Sequence, residues 1–356
     1  MSKKVLAAMS GGVDSSVAVR ILQQQGFDCA GATMLLHGSG HEAEGSQDDV
    51  ADARAVALRL GIPHYVFDFS GEFNSCVLQK FAGSYLKGDT PNPCIDCNRH
   101  LKFGAFLRRA VEMGFDYIAT GHYARIARDT GTGLFSLRKA LDRNRDQSYV
   151  LASALSQERL RRVLFPLGDL TKPQVRQIAE EQGFLNARKH DSQDICFVPD
   201  GDYGAFLERY TGKTCPPGDI LDPEGRVIGR HKGAVRYTAG QRKGLGIAAD
   251  RPLYVCKKSM EDNTLTVGPE TALYARSLLA GDWEWGTSPL PEPREVLAKV
   301  RYRQAEQPAL AEPLPDGRVR ITFRQPQRAV TTGQAAVLYE GDTVLGGGTI
   351  LEVLDG

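Results

Sequence analysis

Cys94 and Cys97, separated by two residues in TPNPCIDCNRHLKF, run directly into a stretch of helical texture. Thiols in that pattern serve as half of a metal clip, as a redox pair, or as a site that handles sulfur. A zinc clip needs four ligands. Beside the pair only His100 or His190 offer themselves, and no second close cysteine pair exists, which argues against zinc. Cys29, Cys76, Cys215 and Cys256 lie in or beside apolar runs and read as inert core thiols. Seven cysteines, an odd number scattered along a long chain, argue for reduced thiols, so any disulfide would be transient and catalytic.

The most specific signal is MSGGVDSS, Met9 to Ser16. Gly11 and Gly12 allow a tight turn and close approach of a ligand, and the amides that open the following helix suit an anion, phosphate being the natural one. The lysine and spacer of the Walker loop are missing, and so is the GxGxxG fingerprint. A capped strand-to-helix turn would explain less, because Ser10, Asp14, Ser15 and Ser16 supply more polar groups than a cap uses.

The elements around these residues alternate. A strand over 3–9 precedes a helix in which Val17, Ile21 and Leu22 recur at helical spacing until Gly26. A strand at 27–35, a helix at 48–60, a strand at 64–69, helices over 73–86 and 98–112, and a strand at 116–120 continue the pattern of a parallel α/β sheet. Met34 and Gly121 fall at strand C-terminal ends, the edge where open α/β sheets bind ligands. After Pro216 short alternating runs with turn residues predict β-rich structure with hairpins, then a Pro-rich linker or loop near 286–295, then a small β-barrel or sandwich. The expected division is a nucleotide-binding domain at 1–200, a small central domain at 201–275 and a C-terminal β-barrel at 276–356.

Composition excludes disordered, fibrous and membrane-spanning classes: 42% of the residues are hydrophobic, 24% are charged, and no apolar stretch is long enough to span a bilayer. No secretory signal is recognisable, so the chain is expected in the cytosol. The net charge of +1 does not point to nucleic acid. Between 296 and 330, however, Lys299, Arg301, Arg303, Arg318, Arg320, Arg324 and Arg328 face only Glu306, Glu312 and Asp316, a hint of a polyanion that competes with an ordinary solvated face. Tyr302 between two arginines tilts the balance toward RNA.

SGGVDSS resembles the pyrophosphate loop of the ATP-pyrophosphatase superfamily. Joined with TPNPCIDCN at 90–98, ATGHYAR at 119–125, RDQSYVL at 145–151, DSQDICF at 191–197 and YTAGQRKGLGI at 237–247, it is similar to the tRNA-specific 2-thiouridylases over essentially the whole chain. The resemblance implies ATP-dependent replacement of the wobble uridine's 2-oxygen by sulfur, with cleavage to AMP and pyrophosphate. It implies that Cys196 receives a persulfide from a protein sulfur donor and that Cys97 is the nucleophile and disulfide partner. It assigns Ala8, Met9, Ser10, Gly11, Gly12, Val13, Asp14, Ser15, Met34 and Gly121 to ATP. Asn92, Pro93, Cys94, His122, Arg145, Asp146, Gln147, Arg301, Tyr302 and Gln334 go to tRNA.

Adenylation turns the uridine oxygen into a competent leaving group, and the helix after Cys97 together with Arg99 and Lys102 would favour a thiolate. Magnesium is expected with ATP. In many members aspartate stands where this chain has Cys94. That leaves the acid/base group open and admits a [4Fe–4S] cluster on Cys94, Cys97 and Cys196 as an alternative route. A small-molecule ligase using the same loop, and an RNA-binding module without turnover, are the competing functions.

Overall fold

Val5 to Ala7 form an apolar run with no alternation, at most 1% exposed, which is what a strand covered on both faces requires. The structure is a computed structural model and describes residues 2–36, 47–184, 186, 187 and 195–354, with only the backbone of residue 47. The first half of the chain contributes seven strands among the described residues: β1 (Lys4–Ala8), β2 (Asp28–Leu35), β3 (His64–Asp68), β4 (Tyr117–Ala119), β5 (Ala124–Arg128), β6 (Phe135–Lys139) and β7 (Val163–Leu164). Five of them form a parallel sheet in the order β3-β2-β1-β4-β7. Helix α1 (Val13–Gln24) and helix α2 (Gln47–Leu60) follow β1 and β2. The expected parallel α/β sheet is therefore present.

Two helices differ from the sequence expectation. The one expected over 73–86 starts at Ser70 and contains a π stretch at Asn74–Leu78. The one expected over 98–112 starts earlier, at Pro93–Asp96, and passes through a π stretch at Cys97–Ala105 before Phe106–Glu112. Pro93 is tolerated at a first helical position, where its missing N–H is no loss, and Asn92 caps the start by accepting from the Cys94 backbone N–H at 3.2 Å.

The central part is a four-stranded sheet of β8 (Gly218–Leu221), β9 (Val227–His231), β10 (Tyr254–Ser259) and β11 (Thr264–Gly268), ordered β10-β11-β8-β9, with the two expected hairpins. Six further strands, β12 (Tyr274–Trp285), β13 (Arg294–Lys299), β14 (Gln307–Pro313), β15 (Val319–Arg328), β16 (Ala335–Glu340) and β17 (Thr343–Val353), close into a barrel through the β12–β17 pairing. The Pro-rich stretch near 286–295 joins β12 to β13 inside this barrel and is not a linker between domains. The β5–β6 hairpin of the first domain extends the barrel sheet, Arg138 pairing with Thr343. At that seam the Arg125 and Arg143 guanidiniums hold Asp342 at 2.9 and 2.6 Å, and Lys139, itself buried, pairs with Glu306 at 2.6 Å. Among the described residues no helix is long and apolar enough to cross a membrane.

Candidate active site

The glycine turn after β1 is held from several sides. Ser15 Oγ donates to the Gly12 carbonyl at 3.0 Å and accepts from the Ser10 N–H at 3.3 Å, while Ser16 Oγ donates to the same carbonyl at 2.9 Å. Gly11 has φ of 71°, and a Cβ there would lie 2.7 Å from the Asp49 carbonyl oxygen, so both conformation and space demand glycine. Gly121, just past β4, presses on the same turn, since a Cβ would meet Asp14 C and Ser15 N at 2.9 Å.

Met9 and Val13 are buried, so any nucleotide contact they make is through backbone; Ala8, Gly12, Asp14 and Met34 are partly exposed, and Ser10 is open. The Met9 carbonyl accepts from Thr33 Oγ1 at 2.8 Å. Because that hydroxyl spends its hydrogen on Met9, the His64 Nε2 at 3.0 Å must be the donor to it. His64 thus carries a hydrogen on Nε2, and burial with nearby Arg54 holds its pKa down.

Asp14 is not an idle acidic residue. Both its oxygens lie 2.8 Å from Lys172 Nζ, and Tyr123 OH donates to Oδ1 at 2.9 Å. Lys172 is 5% exposed, which makes this a largely desolvated ion pair at the edge of the anion loop. Sequence reasoning missed Lys172, Tyr123 and Asn186. The first carried a signal, because TKPQ opens a helix (Lys172–Glu181) with a capping box and Thr171 as its cap. Asn186, whose side chain bonds the turn, carried none.

The structure corrects the electrostatic expectation for Cys97. That residue sits one turn inside its helix, at the start of the π stretch, while Cys94 occupies the second helical position, and the free first amides are taken by Asn92: Cys94 N–H by its side chain and Ile95 N–H by its carbonyl. Cys94 is exposed, while Cys97 and Cys196 are partly buried. Both of the latter pack on the margin of one core cluster. Adjacent residues of one helix hold the flanks of the two: Lys80 pairs with Asp96 at 2.7 Å, and the Phe81 ring lies 5.1 Å from that of Phe197. All seven cysteines are thiols. Among the described residues no three His, Cys, Asp or Glu side chains gather into a group that could hold a metal ion, and His190 lies outside the described residues.

The residues assigned to tRNA divide in two. Arg145, Tyr302 and Cys94 present exposed side chains, with Tyr302 39% exposed. Lys299 Nζ stands 5.7 Å from the Tyr149 ring centre and 5.8 Å from that of Tyr302, a cation over two aromatic faces. Most of the others make hydrogen bonds within the fold. Asp146 accepts from the Ala140 N–H and from Ser148 Oγ, and Gln147 Oε1 accepts from the Tyr123 N–H. Arg301 is spent on the Ala329 carbonyl, at 3.0 and 2.6 Å, and on Thr331 Oγ1 at 2.8 Å. Gln334 Nε2 donates to the Thr90 carbonyl at 2.6 Å, tying the barrel to the loop that carries Asn92 and Pro93.

His122 is buried between the rings of Phe103 and Phe165, with Nδ1 2.7 Å from Thr120 Oγ1; burial first and Lys102 second push its pKa well down. The basic excess at 296–330 is largely neutralised, because Arg318, Arg320, Arg324 and Arg328 pair with Asp316, Glu312, Glu295 and Glu270. That run is mostly the solvated face that competed with the polyanion reading.

Three family models match in succession: a tRNA methyl transferase HUP domain over residues 3–200, a tRNA methyl transferase PRC-barrel domain over 204–269, and an aminomethyltransferase β-barrel domain over 275–350. The tRNA-specific 2-thiouridylase MnmA of Acetivibrio thermocellus is 48% identical over 356 residues, covering 98% of this chain and 99% of that protein. The protein of the same name from Heliobacterium modesticaldum is 47% identical over 100% of this chain and 94% of its own length. Among solved structures, the U34-tRNA thiolase NcsA from Methanococcus maripaludis with its [4Fe-4S] cluster covers 59% of this chain and 67% of its own at 19% identity and a TM-score of 0.32, too distant to carry an argument.

Proposed function

This chain belongs to the tRNA-specific 2-thiouridylase family, and from that premise we propose that it replaces the 2-oxygen of the tRNA wobble uridine with sulfur at the expense of ATP. The observation that carries the reading is the full-length match to 2-thiouridylases of a chain that joins a pyrophosphate loop to Cys97 and Cys196. The family-model descriptions speak of methyl transfer. The relatives matched over nearly their full length are named 2-thiouridylases, and a phosphate-binding turn in one chain with Cys97 and Cys196 suits that reaction.

In this reading the amides that follow Gly11 take the ATP phosphates, and the backbone at Ala8, Met34 and Gly121 takes the nucleoside. Magnesium would be held largely by phosphate oxygens, because both oxygens of Asp14, the carboxylate of the loop, are engaged by Lys172. The uridine O2 attacks the α-phosphate, pyrophosphate leaves, and C2 becomes electrophilic because AMP is now its leaving group. A protein donor leaves a persulfide on Cys196. Its terminal sulfur attacks C2 and AMP departs with the oxygen; the Cys97 thiolate then attacks Cys196 Sγ, forming a disulfide and freeing the thiocarbonyl. An external thiol reductant restores both thiols. Tyr302, Lys299 and Arg145 form the exposed face that suits a splayed base and its phosphate. The cytoplasm, where tRNA is found, is the compartment that fits.

The test is incubation of the purified protein with unmodified tRNA, MgATP and a persulfide source. Appearance of 2-thiouridine with tRNA-dependent pyrophosphate release is expected. Pyrophosphate release driven by a small molecule without tRNA would replace this reading by a ligase.

A further inference from the structure

The loop at 88–92 is a place where all three parts of the chain meet. From the central sheet, Met260 in the turn between β10 and β11 presses on Gly88, whose φ is 94° and where a Cβ would lie 3.1 Å from Met260 Cγ. From the barrel, Gly333 comes so close that a Cβ would lie 3.0 Å from both Asp89 Cβ and Thr90 N. The loop backbone is tied to the first domain by Gly88 N–H on the Tyr85 carbonyl and Asp89 N–H on the Ser84 carbonyl, and to the barrel by Thr90 N–H on the Thr332 carbonyl, each at 3.0 Å. Two residues later Asn92 caps the helix that carries Cys94.

Lys258, on β10 opposite Leu265 of β11, reaches into this junction. Its Nζ is buried, has no hydrogen-bond partner among the described residues, and lies 6.0 Å from the centre of the Tyr85 ring, on which Tyr203 stacks at 5.9 Å. Burial pulls the amine down to about 8, and the carboxylate of Asp89 works against that by favouring the cation. Asp89 is the charged group that faces it from the loop. Tyr85 faces it from the helix Gln79–Leu86, and burial pushes that phenol up, so it stays neutral. Leu265 and Met260 carry no charge. For packing alone a methionine would serve better, because a buried amine without a hydrogen bond costs stability. What the lysine adds is a charge opposite Asp89.

We propose that Lys258 is a positioning residue: its charge, acting on Asp89, lets the central domain hold the loop that sets Asn92, Pro93 and Cys94 beside the target uridine. The inference rests on the thiolation reading for what the loop presents, though not for the hold itself. The effect falls on rate more than on binding. The uridine O2 must meet the α-phosphate in line, and a misplacement of about 1 Å costs on the order of a hundredfold. The glycine turn that takes ATP belongs to a different element.

The experiment compares the unaltered protein with K258M, D89N and the double variant by hydrogen exchange of the 86–95 peptide and by 2-thiouridine formation. Each single variant is expected to speed exchange of that peptide at least about threefold and to lower kcat about tenfold, with ATP affinity and KM for tRNA within about twofold. The double variant is expected to be no worse than either single one, because a pair can be broken only once. The rate ratio of unaltered protein to K258M, in which titrations common to both cancel, is expected to fall toward one as pH rises through about 8. Stability moves the other way: the unaltered protein gains on K258M as pH climbs from about 8 to 10.5, because the unfolded chain keeps the proton that the folded one gives up. A lysine that served the fold alone would show no such opposition. Additive effects in the double variant, unchanged exchange in K258M, or a rate ratio independent of pH would each overturn the hold. Absence of 2-thiouridine formation by the unaltered protein, with non-additive exchange intact, would sink the proposed function and leave the hold standing.

Discussion

Cys94 and Cys196 separate the chemical routes. If sulfur travels as a persulfide on Cys196, C196S should abolish 2-thiouridine formation while ATP and tRNA affinities stay within about twofold. C94S should keep substantial activity, whereas a cluster route would lose it. Mass spectrometry of the modified nucleoside reads both. The histidines give a pH prediction with a definite sign. His64 and His122 are both held below the ordinary value, burial being the main cause. Their preference for the neutral ring is fully available above the unfolded pKa of about 6.5, and it is lost as pH falls toward the depressed folded values, because the unfolded chain binds the extra protons. Denaturant midpoints should therefore drop between about pH 7 and 5, and H122F should flatten that decline.

The loop at 88–92 and the barrel turn at 331–334 act as a unit. Thr90 N–H donates to the Thr332 carbonyl at 3.0 Å, Gln334 reaches the Thr90 carbonyl, and Gly333, at φ 84°, comes so close that a Cβ would stand 3.0 Å from Thr90 N. G333A should cost about 1–3 kcal/mol through backbone strain and the clash. It should lower thiolation by displacing the Cys94 loop while leaving ATP affinity unchanged, since the glycine turn after β1 is on a different element. Equal losses in both assays would show that the loop does not act separately. The fit of TPNPC to this turn was invisible in the sequence, because the two stretches are more than two hundred residues apart and neither has a pattern that names the other.

The first domain and the barrel share a sheet, so neither is a free-standing module. Lys139, 9% exposed at its side chain, pairs with Glu306, donates to the Gly341 carbonyl at 2.9 Å, and stands over the Tyr339 ring at 4.5 Å. K139M leaves a mostly buried carboxylate without its cation. That is expected to cost about 3 kcal/mol and to split the thermal unfolding into two transitions as the barrel loosens from the hairpin. A single transition with an unchanged midpoint would contradict the seam.

Local sequence determined the alternating α/β start, the glycine turn, the two β-rich parts and the thiols with sulfur chemistry in view, because hydrophobic period, turn residues and side-chain chemistry are properties of short stretches. Tertiary structure alone decided that Asp14 is paired with Lys172, that Asn186 donates to the Gly11 carbonyl, and that Arg301 and Gln334 brace the fold. It also decided that Arg320, Arg324 and Arg328 of the barrel's basic run are neutralised by Glu312, Glu295 and Glu270 of other elements, whereas Arg318 pairs with its sequence neighbour Asp316. These outcomes depend on which distant segments the packing brings within hydrogen-bond range, and charge or spacing along the chain does not encode that distance.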